Sequence, residues 1–280
     1  MLKLVHADFS RLTKYKLFWL GLVVMAGIPL FAVGSRYYDR FLAAETVWES
    51  ADGIWFVGGL FLAVILAVLV SLFIGTEYSD GTIRNMLIIG HTRSEIYLSK
   101  QITCIAVSLL YHLVFIAVLF GSGSLLLKSW DTPLRTLASL TLLSLTTVIA
   151  LSAFFNMLAM LIPSRSAGAV LALLTAIAML AAAMTVFSML SAPEFIDNAY
   201  RMNDVGEIVK SEPIPNPMFL SGLRREVYRQ ILYVLPTGQM LLFGTLSFTT
   251  AISILPLYAV AVSAVCIIVG LIVFRRKDIR

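Results

Sequence analysis

Charge is scarce in this sequence. Only 13% of its 280 residues are Asp, Glu, Lys or Arg, where a soluble domain carries about a quarter. Hydrophobic residues make up 59% and the mean hydropathy is +0.91, more apolar surface than one soluble core can enclose. Cysteine is almost missing: Cys104 and Cys266 both fall in apolar runs, which argues against a disulfide framework or a metal site and leaves small packing residues. The three histidines, His6, His91 and His112, fit no ligand spacing. Neither H-E-x-x-H nor G-x-S-x-G occurs, and the apolar runs hold no convincing carboxylate pair. No catalytic residue and no metal ligand is therefore expected. The phosphate-binding pattern G-x-x-x-x-G-K-[ST] is also lacking, so no nucleotide is expected on this chain by that route. There is no repeat of solenoid period and no low-complexity tract.

What is present is a series of long apolar runs. A helix needs about 20 apolar residues to cross a bilayer. Six stretches qualify or nearly do, at about 17–34, 54–75, 102–127, 136–162, 167–191 and 251–274. The sixth contains Pro256, which a membrane helix tolerates near an end. The expected fold class is an all-α membrane protein of six transmembrane helices, forming a single domain over 1–280. The first run follows a patterned basic segment and precedes no A-x-A site, so it is expected to be an uncleaved span. Orientation follows from Lys and Arg. With the N-terminus in the cytoplasm, the inner segments carry Lys3, Arg11, Lys14, Lys16, Arg84, Arg93, Lys100, Arg165, Arg275, Arg276, Lys277 and Arg280. The two short outer loops carry Arg36, Arg40, Lys128 and Arg135. Both termini are expected to be cytoplasmic, and the net charge of +5 reflects this bias rather than nucleic-acid binding.

Three non-spanning segments have structure of their own. In residues 1–16, Leu2, Val5, Phe9 and Leu12 share one helical face while Lys3, Arg11 and Lys14 lie off it. The pattern predicts an interfacial amphipathic helix resting on the inner leaflet. The fifth run is rich in alanine, and Ala178, Ala181, Ala182 and Ala183 predict close helix packing. The segment 192–250 is expected outside the cell. Its prolines at 213, 215 and 217 predict an extended course. An amphipathic helix opened by Ser221 follows, with Leu223, Val227, Ile231 and Val234 on its apolar side and Pro236 at its end. With the short apolar piece after it, this reads as a re-entrant or interfacial hairpin before the last span; an ordinary extracellular loop is the competing reading.

The loop over residues 76–100 is the most elaborate feature. Ser79 and Asp80 are N-cap types, and a short helix over about 81–89 would put Ile83, Met86 and Leu87 on one face, with Thr82 and Asn85 toward the other. Gly90 is a stop signal. Thr92 and Glu95 have capping-box spacing before a long apolar helix. A plain connector needs no such caps, and an exposed Met-Leu-Ile-Ile run implies a protein partner; the competing reading is a segment dipping into the headgroups.

With Glu77 near the end of the second span, the pair Gly81-Thr82, Arg84, Gly90, Arg93 and Lys100 opening the third, the sequence resembles the permease subunits of type 2 ABC transporters, among them bacterial exporters of antimicrobial peptides. Six spans, an amphipathic N-terminus and "LPTGQ" (Leu235 to Gln239) in the last outer segment agree with it. The resemblance implies that 81–89 is a coupling helix docking on a separate ABC ATPase, two copies of which would carry ATP and Mg. It implies Glu77, Asp80, Gly81, Thr82, Arg84, Met86, Leu87, Gly90 and Arg93 as coupling residues. It also implies a second permease chain, as homodimer or heterodimer, to enclose the pathway. Amphipathic or toxin-like peptides are the expected cargo, with lipids, drugs or sodium as alternatives. His112 and Asn156, polar groups within spans, are candidates for the pathway, against the plainer reading of helix-to-helix hydrogen bonds. From other classes, an intramembrane enzyme lacks its groups, and a passive immunity or signalling protein would not need the capped elbow.

Overall fold

The computed structural model describes residues 1–43, 51–55, 57–127, 130–196, 200–202, 208–210, 214–245 and 253–277. Its helices are α1 (Leu2–Thr13), α2 (Lys16–Ala43), α3 (Val57–Ser79), α4 (Thr82–Ile88), α5 (Arg93–Leu126), α6 (Leu134–Leu161), α7 (Arg165–Ser191), α8 (Gly222–Val234), α9 (Pro236–Thr245) and α10 (Leu255–Arg276). Among the described residues, α2, α3, α5, α6, α7 and α10 are long and apolar enough to cross a membrane, the six runs expected from hydropathy. The boundaries differ instructively. α5 has 34 residues, about 51 Å at 1.5 Å per residue, far more than the roughly 30 Å of a bilayer core. It starts at Arg93 rather than near 102 because its start is set by the Thr92–Glu95 cap and not by the onset of hydrophobicity. Pro256 sits in the first turn of α10, where its missing N–H costs nothing.

α6 packs most extensively on α10, α3 on α7, and α2 on α5, with α5 and α6 joining the halves. α3 is the most enclosed span. α2, α7 and α10 turn apolar side chains such as Val23, Phe31, Leu174, Met184, Val265 and Ile268 outward, as helices facing lipid do. On α7 the contact with α3 is made by a stripe of small residues, including Gly168, Ala172, Ala176 and Ala183. The alanine run is thus only partly a packing feature within the chain: Ala183 is buried, whereas Ala178, Ala181 and Ala182 lie on the exposed flank. At the end of the bundle opposite α4, Trp55, Phe120 and Trp130 form an edge-to-face and stacked cluster with ring centres 5.3–6.5 Å apart, and the Trp55 indole donates to Thr141 Oγ1 at 2.8 Å. Both cysteines are free and buried.

α1 does not use the face that its periodicity picks out. Leu4, Asp8 and Leu12 are buried, at spacings of four, and the helix packs on α5. Leu2 is 86% exposed, and Val5 and Phe9 are half-buried. The stripe that docks is centred on a carboxylate, which hydropathy counts among the solvent-loving positions of the helix.

Between α7 and α10 the described chain forms two short antiparallel pairs. Phe195–Ile196 lies against Ile214–Pro215, the latter within the expected extended proline stretch, and Tyr200–Met202 lies against Ile208–Lys210. α8 holds Leu232 and Tyr233 against the bundle and turns Leu223, Val227, Ile231 and Val234 outward. Ser221 is its N-cap by position, without a side-chain bond. α9 inserts among α3, α6 and α7. Its Gln239 amide accepts from Thr147 Oγ1 at 2.6 Å and donates to Tyr233 O at 2.5 Å, which satisfies a buried polar side chain.

Candidate functional site: the α3–α5 elbow and its ion cluster

The elbow is built by two glycines and a cap. α3 runs on through Ser79, and the N–H of Asp80 still bonds Thr76 O at 2.8 Å. Asp80 therefore belongs to the closing turn of α3 and cannot take the extended conformation of an N-cap. The expected cap at Asp80 is replaced by Gly81, whose φ of +67° reverses the chain without a side-chain bond, a left-handed conformation that costs a side chain but not glycine. α4 then covers seven residues, slightly fewer than expected. It ends in a Schellman arrangement: Gly90 at φ +105°, its N–H on Leu87 O at 3.1 Å and the His91 N–H on Met86 O at 3.1 Å. Thr92 and Glu95 form a complete capping box, with the Thr92 N–H on Glu95 Oε2 at 3.0 Å and the Glu95 N–H on Thr92 Oγ1 at 3.2 Å.

The faces of α4 differ from the expected ones in one respect. Ile83 and Met86 are buried against their own chain and Leu87 is half-buried, so Met86 is held inward. The exposed face carries Arg84, Asn85, Ile88 and Ile89, the two isoleucines at 72% and 78% exposure. The reason is angular: Ile83 and Met86 are three apart and point to the bundle, while Arg84–Ile88 and Asn85–Ile89 are four apart on the other side. Thr82 is half-exposed and Asp80 exposed.

Beside the elbow lies a cluster that reasoning along the sequence found only in part. Glu77 near the end of α3 and Lys100 in α5 are both buried, and the Lys100 ammonium sits 2.6 Å from Glu77 Oε1. Its other partner is Asp8 of α1, at 2.5 Å and fully buried. Asp8 also accepts from Ser99 Oγ at 2.9 Å and from Arg11 Nη2 at 2.5 Å, and Arg11 Nη1 lies 3.4 Å from Glu77. Two carboxylates and two cations balance, which is what makes burial of all but the Arg11 head tolerable. Asp8 and Arg11 were missed. The signal was there: Asp8 is the only acid in residues 1–16, four residues from Leu4 and from Leu12.

Arg93, at the other edge of the elbow, is turned away from α4. Its guanidinium donates to the carbonyls of Phe274, at 3.2 Å, and Lys277, at the end of α10. His112 and Asn156 are not brought together. His112 Nε2 lies 3.0 Å from Ser144 Oγ, and Asn156 Nδ2 donates to Gln101 Oε1 at 2.9 Å. Both residues are fully buried, and each bond joins α5 to α6. Neither lines the apolar groove of about 660 Å³ formed by Trp55, Ile116, Phe120, Leu134 and Leu142 near the aromatic cluster. Among the described residues no group of three or more His, Cys, Asp or Glu is placed to hold a metal.

Six apolar helices long enough to span, a docked amphipathic N-terminus and an ordered elbow define an all-α, multi-pass membrane protein. The model of a family described as ABC-2 family transporter protein matches residues 4–179, well over half of the chain, and the chain belongs to that family. The match takes in α1 to α6 with the elbow and ion cluster, and about half of α7. No curated protein matches the chain. Family membership makes it an ABC transporter permease, a transport component that implies an ABC ATPase partner and a membrane setting.

Proposed function

We propose that α4 is a coupling helix that docks on a separate ABC ATPase and that the chain moves cargo outward across the cytoplasmic membrane. The observation behind this reading is the pair Ile88 and Ile89, exposed at the end of a helix that is bordered by the Gly81 and Gly90 turns and followed by the capping box that opens α5. Exposed apolar residues on so ordered a surface fit a protein partner, with Arg84 and Asn85 as its polar rim. Glu77, Gly81, Thr82, Gly90 and Leu87 act by shaping and seating α4, and Met86 by anchoring it to the bundle. The Asp8–Lys100–Glu77 cluster makes α1 part of the same rigid unit.

Two permease chains, as homodimer or heterodimer, and two ATPase subunits would complete the transporter, with ATP and Mg on the ATPases and none on this chain. The outward flanks of α2 and α7 are available for the second chain. The α4 end is cytoplasmic in this reading, both termini lie inside, and 192–250 lies outside. The proposed cargo is an amphipathic, antimicrobial or toxin-like peptide, as the family resemblance implies. The placement of charge is compatible with it: described charged residues of the spans sit at their ends, leaving apolar middles.

Two measurements test this. Ile88→Asp together with Ile89→Asp is expected to leave the chain folded, because both side chains are in solvent. It should abolish co-purification of the ATPase, or leave it bound with transport lost. Retained binding with normal transport would remove the coupling role from α4. For orientation, a cysteine at Asn85 is expected to escape a membrane-impermeant thiol reagent in intact cells and to react after permeabilisation; labelling in intact cells would invert the topology.

A further inference from the structure

The last turn of α10 is tied to both borders of the elbow. On the far side of α4, Arg93 donates to the Phe274 and Lys277 carbonyls, and Arg275 Nε donates to Ser94 Oγ at 2.8 Å. On the near side, the Lys277 ammonium lies over the Tyr78 ring at 4.5 Å from its centre and 3.2 Å from its hydroxyl. The same ammonium reaches Met160 O at 2.9 Å and Leu161 O at 3.1 Å, and Tyr78 Oη donates to Met160 O at 2.7 Å. Met160 and Leu161 end α6, where carbonyls have no partner within the helix and a cation complements the helix dipole. One lysine thus closes α6, α3 and α10 together, and one arginine fastens α5 to α10.

We propose that this turn is a latch that carries movement of α4 to α6 and α10, with Lys277, Tyr78 and Arg93 as positioning residues. Without it, a push on α4 is delivered by the chain only to α3 and α5, the helices it connects. With it, the ends of α3, α5, α6 and α10 are joined by hydrogen bonds, and α6 with α10 is the most extensive pairing in the bundle. Arg93, which the resemblance implies as a coupling residue, is spent on this internal bond. The proposal rests on the coupling role of α4 and extends it to helices that α4 does not adjoin in sequence.

The test uses the full-length permease with its co-purified ABC ATPase and compares hydrogen exchange with and without ATP. In the parent complex, ATP is expected to change exchange at 76–82 and 92–97, and also at 156–162 and 270–277. Lys277→Met keeps the aliphatic stem but removes the donor. It is expected to retain the ATPase and the ATP response at 76–82 and 92–97, and to lose the response at 156–162 and 270–277. Lys277→Arg, which can still donate to the α6 carbonyls, should restore it. A Lys277→Met complex whose response at 156–162 equals the parent's overturns the latch, as does loss that Lys277→Arg fails to restore. A parent permease that does not retain the ATPase, or shows no response at 76–97, sinks the coupling reading itself and the latch with it.

Discussion

Lys100→Met is expected to remove most of the folded protein. The substitution leaves Asp8 and Glu77 buried, with the fully buried cation between them gone and only the partly exposed Arg11 still in reach of both. Breaking a buried ion pair from one side costs about 3–5 kcal/mol, a large part of the roughly 5–15 kcal/mol that holds a typical domain together. Arg11 cannot replace the ammonium, since its side chain is one-third exposed and sits at the edge of the cluster. The measurement is the thermal midpoint of the detergent-solubilised permease, with the monodisperse fraction on size exclusion. The partner experiment separates charge from shape: adding Asp8→Asn and Glu77→Gln to Lys100→Met should recover much of the loss, because nothing charged is then left buried without its partner. A single Lys100→Met variant as stable as the parent would show that water reaches the site and that the cluster is not the clasp between α1, α3 and α5.

The second large effect is expected at Gly75. A Cβ there would lie 2.8 Å from Arg165 Cα and 3.2 Å from Arg165 Cβ. The first of these is backbone at the start of α7, which no rotamer change can move aside. α3 and α7 would have to part along one of the more extensive contacts in the bundle. Gly75→Ala should cost about 1–3 kcal/mol, the range for overpacking a filled site, and Gly75→Leu should prevent assembly of the bundle. Gly121 is the control. It lies in α5 with nothing within 4 Å of its would-be Cβ, so Gly121→Ala should be neutral or mildly stabilising through helix propensity, worth up to about 1 kcal/mol. Equal thermal midpoints for the Gly75→Leu and Gly121→Leu proteins would mean that α3 and α7 are not in the contact described.

The glycine in Gly75 could have been read as a packing residue, but not its partner, 90 positions away in α7. This contrast runs through the molecule. Apolar runs and their lengths, the Thr92–Glu95 box, the stop at Gly90 and the extended prolines are local properties. Hydrophobic transfer, hydrogen bonds across three or four residues and backbone sterics act within a turn or two, so they can be read along the chain. For the same reason the six spans and the elbow were legible, as were the residues that carry the family resemblance. The partners of charged groups were not. Glu77 and Lys100 were picked out without being paired, and Asp8 was passed over, because a carboxylate in an amphipathic helix normally faces water. Only the packing of α1 on α5 shows that a lysine waits for it there. Which way α4 turns was equally undecided: its periodicity put Ile83, Met86 and Leu87 on one face, and the bundle then took Met86 for itself and left Ile88 and Ile89 outside. The sequence alone determined that this chain is a six-span membrane protein with a capped elbow. Tertiary structure decided which face that elbow shows and which ions hold it, since desolvating a charge is tolerable only beside its counter-charge, and that neighbour is chosen by the fold.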